Sequence, residues 1–86
     1  MKKAIFDTAS LLGTRWNCIA LGKELHIHKK AMAHVESKHD SQYTPSDAYT
    51  MLNGWLLSKP EEPDKALYSA LKEIGRADVA EEIRCF

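Results

Sequence analysis

Apolar positions recur every three or four residues from one end of the chain to the other. No run alternates with the period of two that a half-buried strand shows. Ile5, Ala9 and Leu12 step by four and three, which predicts a short first helix ended by Gly13. Thr14 is placed to cap the next helix. There Trp16, Ile19 and Ala20 share a face, Leu21 and Leu25 extend an adjacent stripe, and Gly22 interrupts the pattern. Ile27, Ala31 and Val35, with Met32, mark a third helix over about residues 28–37.

The polar stretch SKHDSQYT reads as a loop. A strong helix start follows it: Thr44 to cap, Pro45 for the first helical position, and Asp47 in the first turn, where the helix dipole favours an anion. Ala48, Met51, Leu52, Trp55 and Leu56 then cover one broad face. Two prolines in SKPEEPD stop that helix. Leu67, Ala70, Leu71 and Ile74 make a fifth, closed by Gly75, and Val79, Ala80 and Ile83 a sixth, with Asp78 near its start. The pattern therefore predicts an all-α fold, six short helices in one antiparallel bundle over residues 1–86. The core expected from it is Trp16, Ile19, Val35, Leu52, Trp55, Leu67, Leu71, Ile74, Val79 and Ile83.

Length sets the scale. Eighty-six residues suffice for one domain with a thin core. Charge changes the picture more. Twelve basic side chains balance twelve acidic ones, which argues against a general polyanion binder. The zero conceals two halves. Residues 1–43 carry seven basic and four acidic side chains, and residues 44–86 carry five and eight. All four histidines (His26, His28, His34 and His39) lie in the basic half, so mild acid deepens the contrast.

Chemistry-bearing constellations are scarce. The opening MKKAIFDTASLLG has the look of a secretory leader, but Asp7 interrupts its apolar part and an amphipathic helix is expected instead. No segment approaches the length of a membrane span. Cys18 and Cys85 are too few and too far apart for a disulfide framework and read as reduced thiols, Cys18 as a buried, inert one. The histidine spacings do not bring two imidazoles to one metal, so no metal, no cofactor and no catalytic residue is expected, and the chain is not read as an enzyme. A small helix-turn-helix nucleic-acid module is the alternative reading, because Lys29 and Lys30 stand beside His28 in the third helix. That helix lacks the Arg, Asn or Gln that reads base edges.

The second half carries a resemblance. Leu52 and Trp55, then Leu67, Ala70, Leu71, Ile74, Gly75 and Arg76, then Asp78, Val79, Ala80, Glu81 and Ile83 follow the order of motifs in the last three helices of a death domain. In the first half, Trp16 resembles the family's second-helix tryptophan, and Met32, Val35 and Glu36 resemble its third-helix motif. The resemblance spans about residues 4–84, and the ending IGRADVAEEI is similar to neurotrophin- and netrin-receptor tails.

It implies a Greek-key bundle, no active site, and homotypic binding to other death-domain proteins. The implied setting is the cytoplasm or the cytoplasmic tail of a membrane receptor, in cell-death, NF-κB or receptor signalling. Contacts are expected from a basic face (Lys23, Lys29, Lys30 and Lys38) meeting an acidic one (Glu61, Glu62 and Asp64). The family's use of the turn into the last helix adds Arg76 and Asp78.

Overall fold

Six helices form where caps and breakers stand in the chain. The computed structural model describes residues 2–84, so Cys85 lies outside the described residues. The elements are α1 (Lys2–Leu12), α2 (Arg15–Glu24), α3 (Lys29–Glu36), α4 (Pro45–Leu57), α5 (Pro63–Glu73) and α6 (Ala77–Ile83). The polar stretch before α4, expected as loop, holds one short 3-10 turn over Asp40–Gln42.

The termini follow from local chemistry. Thr14 caps α2, its side chain accepting from the Asn17 N–H at 3.3 Å. At α4 the Thr44 N–H donates to Asp47 Oδ2 at 3.0 Å, and Pro45 occupies the first helical position. Gly75 ends α5 at φ +80°, letting the Arg76 N–H reach back to the Leu71 carbonyl at 2.8 Å. The same motif ends α2, where the Ile27 N–H bonds the Gly22 carbonyl at 3.0 Å, but the left-handed position there is His26 at φ +57°.

Helix α1 packs on α4 and α6, α2 on α3 and α5, α3 on α4, and α5 on α6. Neighbours that are not consecutive, α1 with α4 and α6 and α2 with α5, give the Greek-key connectivity of the all-α, six-helix fold. Ile5, Leu12, Leu21, Leu52, Leu67 and Leu71 are completely buried at the centre. Each such side chain contributes about 1.5–3 kcal/mol by leaving water.

Of the expected core, Ile19, Val35, Leu52, Trp55, Leu67, Leu71, Val79 and Ile83 are buried. Ile74 is only half-buried, because it is the C-cap of α5 and packs at the margin. Trp16 is a correction. It is 65% exposed, although Ile19 of its stripe is buried together with Cys18, Leu21 and Gly22, with Leu25 at the margin. Cys18, Leu21, Gly22 and Leu25 at offsets 0, 3, 4 and 7 and Trp16, Ile19 and Ala20 at 0, 3 and 4 are both helical stripes, so periodicity alone does not choose between them. Gly22 does not break the helix. A Cβ there would collide with the end of the Met32 side chain and crowd the Met51 sulfur, so the glycine lets α2 approach α3 and α4. Thr8 is fully buried, its hydroxyl donating to the Ala4 carbonyl at 2.7 Å.

Candidate interaction surfaces

Successive helices run roughly antiparallel, so their termini gather at two ends. At one end meet the C-termini of α1, α3 and α5 and the N-termini of α2, α4 and α6. Charged side chains are used up there as internal ties. The Arg76 guanidinium donates to the Leu11 and Leu12 carbonyls, each at 3.0 Å, and to both oxygens of Asp78 at 3.1 Å. It thereby satisfies the open carbonyls of α1, which no longer have helix partners. Arg15 donates to Asp40 Oδ1 at 2.8 Å and lies 5.2 Å over the Trp16 ring. Lys38 donates to Asp47 Oδ1 at 2.7 Å, and His34 Nε2 stands 3.5 Å from the same oxygen.

Asp47 is a buried carboxylate. Burial pushes its proton affinity up. The Lys38 hydrogen bond, the Thr44 N–H and the charges of Lys38 and His34 outweigh that and hold it below the ordinary carboxylate range. The Arg76 hydrogen bond likewise holds Asp78 low. Nearby, burial pushes the Cys18 thiol up to about 11, as expected of an inert thiol.

Three of the expected contact residues are engaged within their own chain. Lys38 is the counter-ion of a buried carboxylate, and Arg76, with Asp78, ties α6 to α1. Each satisfies groups of its own chain, although the Asp78 side chain remains mostly exposed. The capping role of Asp47 was legible in TPSD; its burial was not, because the lysine that pairs with it comes from the loop after α3.

The opposite end gathers the C-termini of α2 and α4 and the N-termini of α3 and α5. Two shallow grooves of about 330 and 270 Å³ flank the buried Trp55 there. The first runs between the His26–His28 turn, Ala31, Gly54 and Ser58. The second starts at Glu24, His26 and Pro60 and runs along α5 past Ser69 to Glu73, away from this end. His26 borders both. Beside the first groove stand Lys29 and Lys30, both exposed, and His28 Nδ1 caps α3 by accepting from the Lys30 N–H at 3.1 Å. Beyond the second, next to Pro60, stand Glu61, Glu62 and the partly buried Asp64. Among the described residues Lys23, Lys29 and Lys30 enter no ion pair, and Glu62 makes only a loose 3.7 Å contact with Lys65.

The acidic and basic sets thus do not sit at opposite poles. They share one end, on either side of a Trp55–His26 seam. Leu57, 74% exposed and three residues on from Gly54, stands on the same α4 face. It lies nine residues after Ala48, about 180° round the helix from the buried stripe, and the sequence pattern leaves it out of that stripe.

A third groove, about 630 Å³, lies along α1 and α4. Phe6, Ala9, Pro45 and Tyr49 line it, with no charged side chain among its walls, and the Phe6 and Tyr49 rings meet edge to face at 6.4 Å. Among the described residues no group of His, Cys, Asp and Glu could hold a metal ion, and no helix is long and apolar enough to cross a membrane.

The family model of the death domain matches residues 3–85, nearly the whole chain. No curated protein and no solved structure matches it.

Proposed function

The chain belongs to the death-domain family, modules that bind other proteins by homotypic domain assembly, and on that premise we propose that it nucleates a signalling complex for cell death, NF-κB activation or receptor signalling. In this reading it works in the cytoplasm, as part of an adaptor or as the tail of a membrane receptor of the neurotrophin or netrin type. The observation that carries it is the contrast in charge use. Lys38, Arg76 and Asp78 are engaged in ion pairs of their own chain, whereas Lys23, Lys29, Lys30 and Glu61 are exposed and enter no ion pair among the described residues, and Glu62 makes only a 3.7 Å contact with Lys65. Charges so placed steer encounter and select partners more than they add raw affinity.

The test is capture of purified death-domain proteins by the immobilised chain, with the double variant Lys29→Glu/Lys30→Glu as control. Capture by the native chain and at least tenfold weaker capture by a variant of unchanged circular dichroism is the expected result. Equal capture by both removes the basic face from the function. A salt-sensitive gel shift with duplex DNA or RNA in place of protein capture would favour a nucleic-acid module instead.

A further inference from the structure

The end of the bundle that carries unspent charge is also self-complementary. Across the Trp55–His26 seam, one side presents His28, Lys29 and Lys30, and the other presents Glu24, Glu61 and Glu62 around Pro60. Lys59 and Lys65 also stand on the acidic side, but its carboxylates outnumber them. A surface divided this way repels a copy laid on it in the same orientation. Rotated by half a turn, the copy sets each basic side against the other's acidic side. Twofold symmetry makes both contacts the same contact, used twice.

The apolar features fit that arrangement. Leu57 is the most exposed of the large apolar side chains among the described residues. The neighbouring groove of about 330 Å³ is walled by Ile27, Ala31, Gly54 and Trp55 and has room for a leucine side chain. Knob and socket lie beside each other on one end, the placement that lets two copies exchange them. The α1–α4 groove is larger, but its walls carry no charge to say what covers it.

We infer that two copies of this chain pair end to end about a twofold axis through the Trp55–His26 seam, each inserting Leu57 beside the other's His28 and Ala31 while Lys29 and Lys30 face the other's Glu61 and Glu62. The inference rests on the reading of the chain as a homotypic module and adds to it the surface and the symmetry. A twofold contact closes on itself, so the assembly stops at two chains. Contacts that use different surfaces head to tail continue into rings or filaments. The exposed ion pairs make the dimer weak and salt-sensitive.

Sedimentation of the purified chain measures this directly. At about 0.05 M salt the mass should rise to two chains with concentration and go no further, and at about 0.5 M salt the dimer should weaken by at least tenfold. Leu57→Asp, Lys29→Glu/Lys30→Glu and Glu61→Lys/Glu62→Lys should each be monomeric with native circular dichroism. Mixing the last two restores opposite charges at both contacts, so the mixture should form a one-to-one dimer. Growth beyond two chains, a native chain that stays monomeric at low salt, or charge variants that dimerise as well as the native chain would each overturn the pairing. A monomeric chain that still captures other death domains would sink this inference and leave the reading above standing. A dimer that captures none would do the reverse.

Discussion

The two ends of this bundle are made from the same kinds of residue and behave differently. At the end where Arg15, Lys38 and Arg76 lie, every one of these cations has a partner in its own chain: Asp40, Asp47, or the carbonyls of Leu11 and Leu12 with Asp78. At the other end Lys29 and Lys30 point into solvent with no partner among the described residues, and Glu61 and Glu62 stand across the Trp55–His26 seam from them. Being a lysine or an arginine therefore says little about role. What separates the two ends is whether a carboxylate or an open helix terminus from another part of the chain comes within reach. A charge that finds one holds the fold together, and one that does not is available to another molecule.

The sharpest way to break this comparison starts with the two tryptophans, one beside each end. Trp55→Ala should cost about 3–5 kcal/mol, the range for removing a large aromatic side chain from a core, and leave the domain close to unfolded. Chemical denaturation measures it, and a loss under about 1 kcal/mol would contradict its burial.

Next comes the tied end. Asp47→Asn should cost about 2 kcal/mol, because it breaks a buried pair whose lysine retains some access to water. The sign of its pH dependence follows from the lowered proton affinity. The Asp47 contribution is fully present above the unfolded-state pKa of about 4 and is lost as pH falls through the lower folded value. Between about pH 4 and 2 the native domain should thus lose stability faster than the Asn variant, and parallel acid limbs would show that the pair does not stabilise the fold.

Arg76→Ala should cost about 1–2 kcal/mol by uncapping α1, with faster amide exchange localised to the last turn of α1 and the start of α6. The smallest effects belong to surface residues. Trp16→Ala should cost no more than about 1 kcal/mol, the scale of an exposed cation–π contact with Arg15. His26→Gly should gain up to about 1 kcal/mol, since glycine occupies the left-handed position at φ +57° without strain. Melting curves that rank Trp16 above Asp47 would reverse the assignment of the two ends.

Much of the fold was legible in the chain because its local signals agree. Thr14, Thr44 with Pro45, Gly13 and Gly75 mark helix ends by side-chain and backbone chemistry that acts within a few residues, and all of them act as expected. The α4 stripe through Ala48, Met51, Leu52 and Trp55 is unambiguous because the other side of that helix is mostly polar. The second helix was misread for the opposite reason. Trp16, Cys18, Ile19, Leu21 and Leu25 leave it apolar on several sides, so its rotation is set by what packs against it. Two of its neighbours, Met32 and Met51, pack their side-chain ends against Gly22 on the buried side, while Trp16 faces water.

The candidate surfaces were legible only in part. Lys29, Lys30, Glu61 and Glu62 were marked by composition, and their exposure agrees with a contact role. Lys38 was marked by the same composition, and Arg76 by the family resemblance, and both pair within their own chain.

By itself the sequence determined the number of helices, their ends, most of the buried residues and the family. Those depend on periodicities and caps that act over a few residues. Only the tertiary structure decided which charges are free, that acidic and basic sets lie side by side on one end, and that Trp16 faces water while Asp47 does not. Those outcomes depend on distances between helices far apart in the chain, where a few ångströms separate an ion pair from an exposed charge.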